Sequence, residues 1–175
     1  MPFIETNGIK MHYQEKPDKV QSMVLISTRP KFNNYATVVY ENLKKLRRVA
    51  DPGDFMELLQ LWIFAADCFQ ENLDTLKEGQ EAARNNPRSQ TRQGFDGQLD
   101  ACIHHDVVDQ LANIKVPAYI VVGEDDIFTP LPFSQLLHEK IPGSEIWIIP
   151  RTGNVCHWEE LAAFNRRTTE FLLNH

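Results

Sequence analysis

The sequence predicts an α/β fold, and three observations predict it. Met23-Val24-Leu25-Ile26 and Ala118-Tyr119-Ile120-Val121-Val122 are continuous apolar runs of strand length, the pattern of strands covered on both faces. In the last third, strand and helix patterns alternate: 118–122, a helix over 132–140, a strand over 145–149, a helix over 161–173. Between Asn33 and Ile114 the apolar spacing is helical instead.

The elements follow in order. Residues 3 to 14 read as a hairpin, because Asn7-Gly8 separates two short alternating runs and both residues tolerate positive φ. A polar turn, Glu15 to Lys19, leads into the strand at 22–27. Val38, Val39, Leu43 and Leu46 mark a first helix, with Lys44, Lys45, Arg47 and Arg48 as its solvated face. Asp51-Pro52 caps and opens a second helix. That helix is apolar on more than one face, so burial on two sides is expected. Asn72 to Asn86 is a third helix, 87–97 is the best loop candidate, and Leu99 to Leu111 is a short fourth helix. Trp62, Phe64, Phe69 and Phe95 are read as packing residues, with a pocket lining as the sharper alternative.

Composition narrows the function classes. The 175 residues suffice for one domain with a sizeable core. A net charge of −6 excludes an overall basic footprint for nucleic acid or an anionic membrane. Cys68, Cys102 and Cys156 are odd in number and lack CxxC spacing, which argues for free thiols in a reducing cytoplasm. No signal peptide is read in MPFIETNGIK, and the stretch Leu58–Ala66 is too short to span a bilayer. GxGxxG and P-loop motifs are absent, so no cofactor is expected. His104-His105-Asp106 is not expected to hold a metal, since adjacent helical residues point about 100° apart.

The chemistry-bearing pattern lies after the last two strands. Gly123-Glu124-Asp125-Asp126 follows the strand at 118–122, and Thr152-Gly153-Asn154-Val155-Cys156-His157-Trp158-Glu159 follows the strand at 145–149. Groups at the carboxyl ends of parallel strands converge on one crevice. An acid loop and then a histidine loop is the Asp…His half of a Ser-His-Asp arrangement. The candidate catalytic residues are therefore Asp126 and His157.

NIKVPAYIVVGEDDIFTP and IPGSEIWIIPRTGNVCHWEELAAFN together resemble the C-terminal part of α/β-hydrolase-fold esterases and lactonases, the group of enol-lactone hydrolases and other small carboxylesterases. FIETNGIKMHYQE is similar to that family's first hairpin, and PDKVQSMVLIST to the strand after its nucleophile helix. The resemblance implies a truncated hydrolase core over 1–32 and 115–175, with a helical lid over 33–114. It also implies that strands 3 to 5 of the family are missing, roughly 80 residues with their helices and loops. Joining what is left gives a mostly parallel five-strand sheet in order 1-2-6-7-8, with 9–14 pairing directly with 22–27. Lost covering helices would leave an apolar face open, so a homo-oligomer is expected.

The departures weigh on function. None of Ser22, Ser27, Ser89, Ser134 and Ser144 sits in G-x-S-x-G, and the oxyanion loop has no counterpart. The family's loop reads G-H-x-x-H-x-E; aligned on His157-Trp158-Glu159, Asn154 stands where the base histidine would be. The resemblance thus implies a carboxylic-ester or lactone hydrolase lineage without catalysis. One alternative is a weak carboxylesterase of activated esters working through His157 and Asp126. The other is a non-catalytic module that binds a small apolar ester or lactone, or associates with itself. Neither nucleic acid nor membrane is an expected partner.

Overall fold

A computed structural model describes residues 3–6, 9–12 and 20–175. Asn7-Gly8 and residues 15–19, expected as turns, and Tyr13-Gln14, expected as the end of the second strand, lie outside the described residues. β1 (Phe3–Thr6) and β2 (Ile9–His12) form an antiparallel pair in the register of a hairpin, Phe3 opposite His12 and Thr6 opposite Ile9. β3 (Met23–Ile26), β4 (Ala118–Gly123) and β5 (Glu145–Ile149) form a parallel sheet in that order.

The expected single sheet of order 1-2-6-7-8 is corrected here: β2 pairs with β1 alone, and β3 with β4 alone, among the described residues. The physical reason lies in β3. Its residues are apolar toward both faces, so no period-2 pattern selects a register against β2.

The three-strand sheet is covered on both sides. Ala118 and Ile120 of β4 pack with Leu111 of a 3₁₀ turn (Val108–Asn113) and with Leu137 and Ile141, which lie on and just after α5 (Leu131–Lys140). On the other face Tyr119, Val121 and Ile149 pack with Cys156 of α6 (Cys156–Glu159) and Phe171 of α7 (Leu161–Asn174). Among the described residues the central strand is covered on both faces, and the unpaired features of the sheet are the outer edges of β3 and β5.

Between β3 and β4 run four helices: α1 (Asn34–Val49), α2 (Pro52–Ile63), α3 (Ala66–Arg84) and α4 (Arg92–Ile103). (α1 to α7 are numbered along the chain, leaving the 3₁₀ turn outside the count.) Asn33 caps α1 by accepting from Ala36 N–H at 2.9 Å, and Asp51 caps α2 by accepting from Gly53 and Asp54 N–H. α3 starts six residues before the expected Asn72, which is instead a kink within it (φ −127°, ψ 21°). α4 takes up part of the expected loop 87–97, because Thr91 accepts from Gly94 N–H at 3.1 Å and caps a helix there. Past Ile103 the expected helix gives way to the 3₁₀ turn.

Two packing expectations change. In α2, Phe55 and Gln60 are buried but Leu61 is 56% exposed, so the helix is not buried on two sides. Gln60 is satisfied: its amide donates to Leu76 O at 2.9 Å and accepts from Gln80 at 2.7 Å, tying α2 to α3. The basic run of α1 does not face solvent alone. Lys44 is buried against Asp100 and Glu41, and Arg48 meets Asp96 of α4 at 3.0 Å. Asp100 holds the Lys44 ammonium above its ordinary pKa. Around these pairs Val39, Tyr40, Leu43, Phe55 and Leu99 form one apolar core, onto which Trp62 and Phe95 pack.

The helical block meets the sheet at a close backbone approach. A Cβ on Gly123 would lie 2.1 Å from Gly153 O, and one on Gly153 would lie 2.7 Å from both Ile63 O and Ala65 N. Glu159 closes the same junction, accepting from Ala65 N–H at 2.8 Å and Gly153 N–H at 2.6 Å. Burial pushes the Glu159 carboxyl up, against the pull of those two N–H groups.

Gly153→Ala should therefore cost about 1–3 kcal/mol or more in urea unfolding, since only backbone can give way. Gly97→Ala inside α4, with nothing within 4 Å, should instead gain about 0.5–1 kcal/mol. Glu159→Gln keeps one acceptor and turns an N–H toward the other donor. It should cost about 1–3 kcal/mol in the same measurement.

Candidate functional site

The loop after β4 is built around Asp126, which is 4% exposed. Its Oδ1 accepts from Phe128 N–H at 2.9 Å and Thr129 N–H at 2.7 Å. Its Oδ2 accepts from the Thr129 hydroxyl at 2.7 Å. A buried carboxylate needs such donors to offset its lost hydration. The D-x-x-T spacing thus makes a self-contained turn, closed by Pro130 at the head of α5.

The loop after β5 adds the remaining donor. Asn154 Nδ2 reaches Asp126 Oδ2 at 3.1 Å and Thr129 Oγ1 at 2.9 Å. Backbone bonds fix the two loops together: Glu124 N–H donates to Ile149 O, and Asp125 N–H to Thr152 O, both at 2.9 Å. The structure therefore brings Asp126 and Asn154 together.

It does not bring His157 to them. His157 lies on α6, exposed, with its ring 5.8 Å from that of Phe164. The hydrogen bonds of Asp126 go to Phe128, Thr129 and Asn154. Of the two sequence-derived candidates, Asp126 is hydrogen-bonded to Asn154, and His157 is not among its hydrogen-bond partners.

A cavity of about 470 Å³ opens at the carboxyl ends of the strands. Ser27, Thr28 and Arg29 enter it from the end of β3, Phe128 and Thr129 from the β4 loop, and Asn154 from the β5 loop. Tyr40 of α1, Cys102 of α4 and His105 form the opposite wall. Two of these lining residues, Ser27 and Arg29, carried no sequence signal. Ser27 is in the left-handed region at φ 40°, a conformation no non-glycine pattern announces. Its hydroxyl lies 3.7 Å from the sulfur of fully buried Cys156. Burial pushes the Cys156 thiol up to about 11, so it is a neutral thiol and not a base. Arg29 lies among aromatic rings that come from distant parts of the chain.

Cys68, Cys102 and Cys156 are free thiols, two of them buried. Among the described residues, no group of three or more His, Cys, Asp or Glu side chains is placed to hold a metal ion. Asp106 meets Lys31 at 3.2 Å and caps Val108, while His104 Nδ1 lies 2.7 Å from Asp100 O. No helix among the described residues is long and apolar enough to cross a membrane.

No family model matches the chain. Over 69 residues, 39% of the chain, it is 38% identical to 24% of a 2-hydroxy-6-oxo-6-phenylhexa-2,4-dienoate hydrolase of Burkholderia cepacia. Over 165 residues, 91% of the chain, it is 26% identical to 57% of a 2-hydroxy-6-oxononadienedioate/2-hydroxy-6-oxononatrienedioate hydrolase of Comamonas testosteroni. The solved enol-lactonase of Burkholderia xenovorans LB400 matches 90% of the chain at a TM-score of 0.77 and 17% identity, with 58% of that enzyme covered. Even the longer of these matches spans little more than half of the relative. Hydrolase relatives, the parallel sheet and an acid loop followed by a second loop at its carboxyl end agree: the chain is an α/β-hydrolase-fold protein with a reduced sheet.

Proposed function

We propose that this chain keeps a hydrolase's crevice as a small-molecule binding site and does not hydrolyse what it binds. The observation that carries the reading is Asn154 Nδ2 donating to Asp126 and Thr129. An amide nitrogen has no basic lone pair, so it orients like an imidazole N–H but cannot take a proton from a nucleophile. Supporting it, the chain contains no G-x-S-x-G elbow. Ser27, the serine at the cavity, has a neutral thiol as its neighbour instead of a base. In this reading the helices over 33–114 act as the cap of the crevice, and its ligand has an apolar body matched to the aromatic wall.

Weak esterase action through His157 and Asp126 is the competing reading, and ester turnover separates the two. Hydrolysis of p-nitrophenyl acetate should match that of a His157→Ala variant. Asn154→His should leave the rate within about threefold, without the ~10²–10⁴-fold rise that a positioned base gives a competent nucleophile. A larger rise would reveal a nucleophile in the cavity and overturn the silent reading. Iodoacetamide at pH 8 should leave Cys156 unlabelled in the native protein, as mass spectrometry of the peptides will read.

A further inference from the structure

Among the described residues, Arg29 is a cation whose surroundings the proposed crevice leaves unexplained. It is half-buried, and burial lowers its pKa, as expected where a guanidinium loses water. Its carbon lies 4.2 Å from the ring centre of Phe32, 4.6 Å from Tyr40, 5.6 Å from Phe128 and 5.8 Å from Phe133. Tyr40 stacks on Phe128 at 5.3 Å and meets Phe32 edge-on at 4.8 Å, so the rings form a fixed frame around the charge.

Rings hold a cation in place but do not neutralise it. Among the described residues, no carboxylate lies within ion-pair distance of Arg29. The nearby acids are engaged elsewhere: Asp126 with its own loop and Asn154, Asp100 with Lys44, Asp106 with Lys31. Of five guanidinium N–H groups, one donates to the Tyr40 hydroxyl and one reaches Phe128 O at 3.5 Å. Among the described residues these two are the hydrogen bonds the guanidinium makes, and Arg29 lines the cavity. Among the described residues the cavity wall thus carries one guanidinium, no carboxylate, the hydroxyls of Ser27, Thr28 and Thr129, the amides of Gln98 and Asn154, His105 and a large apolar surface, in a chain whose net charge is −6.

We infer that the cavity takes an organic carboxylate with a compact apolar body, its carboxylate on Arg29 and its body against the wall formed by Tyr40, Phe128 and Cys102. This rests on the binding reading above. A planar carboxylate matches the guanidinium fork with two parallel hydrogen bonds. The volume of about 470 Å³ is that of a small-ligand site.

Isothermal titration of the purified chain with phenylacetate, phenylacetamide and phenyl phosphate, each to about 10 mM, tests it. Saturable binding of phenylacetate, at least about tenfold tighter than of the amide and the phosphate, is expected. Arg29→Met should weaken phenylacetate about 10–100-fold while leaving the amide unchanged. Because Arg29 also holds the ring frame, a second variant guards against misfolding. Ala101→Trp, at an exposed position of α4 on the cavity wall, should abolish binding of every probe with the unfolding midpoint kept. Equal affinity for acid and amide would overturn the Arg29 anchor and leave the binding reading standing. Tighter binding of the phosphate would overturn the carboxylate assignment. No saturable binding of any probe would overturn both.

Discussion

The structure depends on one steric constraint, the stacking of three backbones at Gly123, Gly153 and the α2–α3 junction. With Cβ positions 2.1 to 2.7 Å from backbone atoms, no other residue fits at either glycine without moving a chain segment. The consequence reaches well beyond packing. Gly123 ends β4 three residues before Asp126, and Gly153 immediately precedes Asn154. Contact between the two glycines sets how closely the β4 and β5 loops run, and hence whether Asn154 can reach Asp126. Contact of Gly153 with Ile63 and Ala65, locked by Glu159, sets the helical block over those same loops. The cavity lies between these parts, so its walls are fixed by positions that do not line it.

Much of this was legible in the sequence. Continuous apolar runs gave β3 and β4, since strands buried on both faces need no alternation to be seen. Asp51-Pro52 marked the start of α2, because capping is local chemistry. The family resemblance places Asn154 at the base position, by aligning its loop on His157-Trp158-Glu159, and it meets Asp126 in the structure. Pairing of β2 was not legible, because register needs a patterned face and β3 has none. Nor was α4: two glycines and many polar residues read as a loop until Thr91 is seen to cap it. The solvated reading of Lys44 failed for a different reason. Its partners Asp100 and Glu41 assemble only when α4 packs on α1, a long-range event that a charge run cannot report.

Arg29 and Ser27 were illegible on similar grounds. A guanidinium caged by Phe32, Tyr40, Phe128 and Phe133 draws on rings separated by up to a hundred positions. A left-handed serine is set by where its strand ends against β4, to whose Val121 O its N–H donates at 2.8 Å. Such features carry a cost in burial or strain that only the finished packing repays, which is why they concentrate at the cavity.

The Asp126–Asn154 pair shows how chemistry and architecture separate at a hydrolase-type site. Asp126 has structural reasons to be an aspartate whether or not it ever assists a base. Its two oxygens take two backbone N–H groups, a hydroxyl and an amide, and those bonds shape the turn that delivers Phe128 to the cavity. Asn154 adds a tie from the β5 loop to both Asp126 and Thr129, so the amide links the loops at two points. What it lacks is a lone pair of useful basicity. In the binding reading proposed above, this pair holds the crevice together by hydrogen bonds without supplying a base at position 154. Retention of the acid is then evidence for the shape of a site, and the identity of its partner is what bears on reaction.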